Sequence, residues 1–296
     1  MWSLRFEVDR ARVRLGTAKA LESAMGALYT ECSEMETRIT VLARRGWIGR
    51  GMAEGAFGAL HMVEHRQEMA QAEAARMREE LALLCGIDAA HPAFDALQGG
   101  VIDRFRADEI EWSEPTTLEL IDRLPALRAA KLRLALAEAE LQRMARERWP
   151  SLNVGPRIVL MDGDSVLGPM FGINVPFPGA LEGAILATRE DRDAALEALE
   201  DEVVAARSRA ERTRRVFESM ELLALEHAPE MDMSMARMLL ATQQEFLANP
   251  ERLERWTYAI GERVTSLTSL VNARADLVLA WFDAQEARGV APEVQP

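Results

Sequence analysis

Apolar residues, with an occasional threonine, recur at alternating spacings of three and four along two long stretches of the chain. In the first stretch these seam positions are Leu21, Met25, Leu28, Cys32, Met35, Ile39 and Leu42, and in the second they are Leu196, Leu199, Val203, Ala206, Ala210, Thr213, Phe217, Met220 and Ala224. This spacing draws one narrow apolar seam along an α-helix, the pattern of a coiled coil. A seam of this kind must be covered by partner helices, so we predict a mainly α fold of long antiparallel coiled-coil helices.

Glycines mark the ends of the helices in the first part of the chain. Residues 44–51 contain three glycines, which favour a turn after the first helix. The second helix should end at Cys85, with Gly86 as its cap. Residues 1–86 are therefore predicted to form a helical hairpin, followed by an irregular equatorial-type segment over 87–125.

The second part of the chain repeats this plan, with one addition. A helix beginning at Pro125 should run to Arg148, since proline suits the first turn of a helix. A long helix is then expected over 180–248, kinked at Pro229, and a last helix over 251–288. We assign 126–289 to this second repeat and leave 290–296 as a tail.

The added element is a predicted β-hairpin at about 151–177. Apolar residues alternate with others on both sides of Asp162-Gly163-Asp164, at Leu152, Val154, Ile158, Phe171, Ile173 and Val175. Two period-two runs about a turn are typical of a hairpin. Each run has roughly ten residues, which is the length that a tilted strand needs to cross a bilayer.

Charge and residue chemistry exclude several functions. The net charge of -13 argues against a nucleic-acid partner, which requires a basic face. The four histidines form no acid–base constellation, so we predict neither an enzyme nor a cofactor. Met233 lies two positions from both Met231 and Met235 and points away from them on a helix, so one soft-metal ion cannot bind all three, and they are interpreted as core or contact residues.

His61 and His65 lie one helical turn apart, with Glu68 three residues further on. A helix face could hold Zn²⁺ in this way if a further ligand were present. The glutamate between the histidines is in the wrong position for a metalloprotease motif. The sequence therefore favours solvated surface histidines, and we predict no metal site.

Five segments, taken in order, resemble the TolC-like outer membrane efflux proteins. Residues 124–152 hold the Pro-x-Leu-Arg-Ala-Ala helix start, an Ala/Glu-rich helix and Pro-Ser-Leu opening a strand. Residues 171–184 are similar to the family's return into a long helix, and 223–246 to the stretch with Leu-Leu-Pro and an aromatic residue. Residues 246–254 and 45–49 occupy the positions of the two helical tips. The heavy-metal-efflux branch looks closest, although its insert is missing and the N-terminal part is shortened.

The resemblance implies a homotrimeric channel-tunnel with an α-barrel of helical hairpins, spanning the outer membrane and the periplasm. Such a subunit exports solutes or metal ions in a tripartite efflux or type I secretion system, with a periplasmic adaptor and an inner-membrane pump as partners. It implies lipid contact for the hairpin residues Leu152, Val154, Ile158, Phe171, Ile173 and Val175. It also implies adaptor contact at the tips, through Arg45, Gly46, Ile48, Gly49, Phe246, Asn249 and Leu253.

A soluble coiled-coil scaffold that derives from the same family, without its pore, is the alternative function. Residues 1–14 carry charges throughout and lack the apolar core of a signal peptide. The family's first helix–hairpin–helix unit also has no counterpart in the sequence. Fractionation of cells should distinguish the two functions.

Overall fold

The fold is mainly α, with long helices and one antiparallel β-hairpin, as predicted. The computed structural model describes residues 2–92, 94, 105, 107, 112, 114–161, 164–174 and 178–290. Its longer elements are α1 (Trp2–Arg44), α2 (Arg50–Cys85), α3 (Thr117–Arg123), α4 (Pro125–Arg146), β1 (Ser151–Met161), β2 (Asp164–Asn174), α5 (Pro178–Leu222), α6 (Ala228–Ala248) and α7 (Leu253–Ala287). None of the described helices is both long enough and apolar enough to cross a membrane.

The chain forms two compact units. The first unit comprises 1–113 together with 210–296, and the second comprises 114–209. The first unit therefore joins the predicted N-terminal hairpin to the last helices of the chain.

The largest core of the first unit is the predicted seam of α1. From Met25 to Leu42 the seam residues are buried, and they pack in one cluster with residues of three other helices: Ala56, Leu60 and Val63 of α2, Leu239 and Phe246 of α6, and Leu253, Trp256, Ile260 and Val264 of α7. Burial, with Glu31 nearby, raises the pKa of the Cys32 thiol to about 12, so this side chain packs as a neutral, small apolar group.

The N-terminal third of α1 buries two faces, unlike the single seam that runs from Met25 to Leu42. Phe6 and Val13 pack against Val278 and Phe282 of α7. On another face, Ala11 and Leu15 pack against Met77, Leu81 and Phe94. Arg10 reinforces the packing on α7 through ion pairs of 2.6 Å to both Asp283 and Glu286. A single heptad seam was therefore too narrow a description of this end of the helix.

Glycines end the helices as predicted. Gly86 has φ 67°, and its N–H bonds to the carbonyl oxygens of Ala82 and Leu83. Gly46 in the turn after α1 has φ 72°, and Gly289 after α7 has φ 69°. These left-handed conformations favour glycine because a Cβ would be strained there.

The long helix around Pro229 is continuous but is not α throughout. A π turn, Leu223–His227, joins α5 to α6, and the Ala228 N–H bonds to the oxygen of Leu223, five residues back. Pro229 lacks an N–H and cannot continue the regular α ladder. The π turn accommodates that break, so the predicted helix over 180–248 consists of two α-helices joined by it.

An ion pair between α6 and α7 lies close to this turn. Arg263 donates to a carboxylate oxygen of Asp232 and also to the Asp232 carbonyl oxygen at 2.7 Å. The Ser266 hydroxyl donates to the same carboxylate at 3.3 Å. Both charged side chains are largely buried, at 16% and 15% exposure. Buried charges that are paired and hydrogen-bonded in this way favour a single alignment of α6 against α7.

Local signals also order the second unit. Thr116 and Glu119 form a reciprocal capping box at the start of α3. Helix α4 begins at Pro125, as predicted, and ends at Arg146. Strands β1 and β2 pair antiparallel from Ser151↔Asn174 to Met161↔Asp164. The hairpin prediction is confirmed, while Asp162 and Gly163 at its turn lie outside the described residues.

The α6–α7 ion pair yields a stability prediction. We expect Asp232→Ala to lower the free energy of unfolding by about 2 kcal/mol, because Arg263 would keep a largely buried charge without its carboxylate. Urea denaturation followed by circular dichroism measures this loss. Glu211→Ala removes an exposed ion pair with Arg215 on α5 and should cost far less. Equal losses in the two variants would contradict the structural role of the buried pair.

Candidate functional site

The two predicted tips lie at the same end of the first unit. Arg38, in the last two turns of α1, donates to the carbonyl oxygen of Leu247 at 3.2 Å, near the end of α6. Ile48 of the turn between α1 and α2 belongs to the same buried cluster as Phe246 and Leu253. The tip is defined here as residues 44–51 and 246–253.

Three of the residues expected to contact an adaptor lie in the interior of the tip. Ile48 is 5% exposed, and Phe246 and Leu253 are fully buried. The Phe246 ring stacks on Trp256, with centroids 6.1 Å apart and planes 19° apart. These side chains hold the tip together, so a partner would meet their neighbours instead.

The exposed part of the tip consists mainly of small and polar residues, together with Trp47 and Leu247. Arg45, Gly46, Gly49 and Asn249 are exposed, as expected of contact residues. Sequence reasoning passed over Trp47, which is 60% exposed. The Arg45 guanidinium lies 5.8 Å from the centre of the Trp47 ring. An aromatic residue within a turn that was expected to contact a partner was the available signal.

Hydrogen bonds fix the backbone of the second turn. The Asn249 side chain accepts from the Glu251 N–H at 3.0 Å and caps the short 3₁₀ turn Pro250–Arg252. Arg255 of α7 pairs with Glu245 of α6 at 3.3 Å. The cap and the ion pair thus hold the second turn of the tip against the ends of α6 and α7.

The hairpin exposes one apolar face. Leu152, Val154, Phe171 and Ile173 are between 62% and 71% exposed. Leu152 pairs with Ile173 and Val154 with Phe171, so the four side chains share a face. The side chain of Ile158 and residue Val175, which were also predicted for this face, lie outside the described part of the chain.

The register extends this face and explains the prolines. Ile158 pairs with Leu167, which is 72% exposed and was not among the hairpin residues predicted for this face. Pro156 pairs directly with Pro169. Neither proline has a backbone N–H. The two can face each other because a non-hydrogen-bonded pair of an antiparallel ladder needs no donor from either strand.

A second exposed apolar surface runs along α4 and α5. Leu132 and Leu136 of α4 are 70% and 71% exposed, and Val204 of α5 is 67% exposed. A groove of about 390 Å³ between the two helices is lined by Ala130, Arg133, Ala195, Ala198, Asp201, Glu202 and Ala205. The predicted seam residues Leu199 and Val203 are only half-buried here. The second unit therefore leaves much of its apolar surface uncovered.

The comparison by sequence finds no family model and no curated protein that matches this chain. Solved structures do match. CusC, described in terms of transmembrane channel formation, has a TM-score of 0.80 at 13% identity, over 97% of this chain and 68% of CusC. A membrane protein from Pseudomonas aeruginosa has a TM-score of 0.79 at 15% identity, over 97% of this chain and 67% of that protein.

The outer membrane channel CmeC of Campylobacter jejuni has a TM-score of 0.72 at 13% identity. The match covers 100% of this chain and 64% of CmeC. This chain thus spans about two thirds of the length of its structural neighbours and adopts the fold of outer membrane channels. That confirms the fold expected from the resemblance. The TM-scores do not distinguish one branch of such channels from another, so membership of the heavy-metal-efflux branch stays a prediction.

The burial of Phe246 can be checked against its exposed neighbour. Phe246→Ala should lower the free energy of unfolding by about 3 kcal/mol, because it removes a stacked ring from the core. Leu247→Ala, one residue along and 38% exposed, should cost less than about 1 kcal/mol. Urea denaturation compares the two variants. A larger loss of stability in Leu247→Ala than in Phe246→Ala would contradict the burial of Phe246. Phe246 would then again be a candidate for contact with an adaptor.

Proposed function

We propose that this chain is the channel-tunnel subunit of a tripartite efflux or type I secretion system, with a transport role and no catalytic one. One observation carries the proposal: a chain with the fold of outer membrane channels over nearly its whole length also exposes a continuous apolar face on its hairpin. An exposed apolar face of this size is unfavourable in water, and the apolar interior of a membrane would cover it.

The dimensions of the hairpin suit an outer membrane. Each strand has 11 residues, which at about 3.3 Å per residue and a tilt of about 45° rises roughly 25 Å. This is the height of the apolar band on outer membrane strands. The opposite face contains Asn153, Gly155 and Arg157, which are suited to water or to another copy of the chain.

Assembly of several copies would complete the second unit. Leu132, Leu136 and Val204 are exposed in the single chain, and the seam residues Leu199 and Val203 of α5 are only half-buried. A coiled-coil seam is stable when partner helices cover it. We propose that a neighbouring copy covers α4 and α5 in a closed ring, which is a trimer by resemblance to the family.

The tip is the proposed docking surface for the periplasmic adaptor, which in turn contacts the inner-membrane pump. Arg45 and Trp47 are exposed, and these are residue types that often carry binding energy at protein interfaces. Gly46, Gly49 and Asn249 shape the surface around them. The exported cargo, either solutes or metal ions, follows from the resemblance to the family.

A charge on the apolar face of the hairpin tests the membrane role. Phe171→Arg should sharply reduce the amount of the full-length gene product in the outer membrane fraction, because a lipid-facing arginine costs about 2–4 kcal/mol. Asn153→Arg lies on the opposite face of the same hairpin and should leave that fraction nearly unchanged. Fractionation and chemical cross-linking in cells measure location and assembly together. Recovery of wild-type protein as a soluble monomer would instead support the pore-less scaffold.

A further inference from the structure

Two histidines form an exposed pair on the surface of α2. His61 and His65 lie four residues apart, with side chains 78% and 69% exposed. Positions i and i+4 of a helix are neighbours, about 5–6 Å apart at Cβ. Both imidazoles can therefore reach one ion without any change in the backbone.

Each imidazole has a carboxylate beside its Nδ1 atom. The Nδ1 of His61 lies 3.2 Å from an oxygen of Glu64, and the Nδ1 of His65 lies 3.9 Å from an oxygen of Glu68. The first contact is a hydrogen bond and the second an electrostatic contact. At His61 the carboxylate accepts a hydrogen bond, so it favours the ring proton on Nδ1 and leaves the lone pair on Nε2, while at His65 the more distant carboxylate lies on the same side of the ring.

This arrangement is the one that metal-binding histidines use. A ligating imidazole usually donates its other N–H to a carboxylate, which holds the ring and raises its basicity. The sequence showed the spacing of the histidines, which alone favoured two solvated side chains. The structure adds the two carboxylates, one for each ring.

We propose that His61 and His65 together bind one divalent first-row transition-metal ion through their Nε2 atoms. Imidazole suits Zn²⁺, Ni²⁺ and Cu²⁺ better than it suits Mg²⁺ or Ca²⁺. Glu64 and Glu68 act as positioning residues and not as ligands. This site does not depend on the proposed channel function.

The ion keeps open coordination positions. Among the described residues, no group of three or more histidine, cysteine or acidic side chains could enclose a metal ion. Water or an exchangeable ligand therefore completes the coordination shell. A site with two protein ligands holds its ion less tightly than a closed structural site and exchanges it readily.

His227 is a natural control for this site. It is exposed on the π turn between α5 and α6 and has Glu230 three residues on, which repeats the histidine–glutamate spacing of α2. Its own i+4 position is Met231, so it lacks the second imidazole. A variant at His227 therefore removes one histidine and leaves the proposed site intact.

Titration calorimetry of the full-length protein with Ni²⁺ at neutral pH tests the proposal. We expect one ion per chain, with His61→Ala or His65→Ala each weakening the affinity more than tenfold and His227→Ala leaving it unchanged. The double variant Glu64→Gln with Glu68→Gln should weaken it by about tenfold, because the rings lose the carboxylates beside their Nδ1 atoms. Thermal melting without metal checks that each variant is folded, which these exposed positions permit.

The outcomes separate clearly. Binding by His61→Ala or His65→Ala with wild-type affinity would overturn the site, and so would an equal loss in His227→Ala. Wild-type affinity in the double glutamine variant would remove the positioning role of the carboxylates.

Discussion

The fold of the first unit depends on the burial of narrow apolar seams along very long helices. Helix α1 has 43 residues, which is about 65 Å of helix at 1.5 Å per residue. Residues of α2, α6 and α7 cover its seam from Met25 to Leu42. A core of this shape has little depth, so each stretch of helix is stabilised by its immediate neighbours. The ends of the helices, including the tip, are therefore ordered by the same seams as their middles.

Helix ends were predictable because local chemistry decides them. Gly46, Gly86 and Gly289 adopt left-handed conformations that a glycine supplies, and Pro125 begins a helix. The hairpin was predictable for a similar reason, since its period-two pattern differs from the helical spacing around it. The π turn before Pro229 was not, because sequence alone shows where the α ladder breaks but not how the helix accommodates the break.

Burial at the tip could not be predicted because it depends on contacts between distant segments. Ile48, Phe246 and Leu253 were expected to contact an adaptor because the family resemblance places them at the helical tips, but they are buried. The structure brings both turns to one end, where each covers apolar residues of the other. Phe6 and Val13 were passed over for the same reason, because α7 buries a second face of α1 that heptad spacing does not mark. The same pattern on α5 is half-exposed, so a seam shows which face is apolar but not what covers it.

The buried interior of the tip affects how an adaptor would bind in the proposed function. Arg45 and Trp47 stand beside a backbone fixed by the left-handed Gly46, while the Asn249 cap and the Arg38 bond to Leu247 fix the adjoining turn. A partner that binds there orders few additional groups, which lowers the entropic cost of association. Substitutions of Ile48 or Phe246 would disturb docking only by loosening the tip, whereas substitution of Trp47 would remove contact area and leave the fold intact. In the proposed docking, binding and stability would therefore be carried by different side chains at the same end of the first unit.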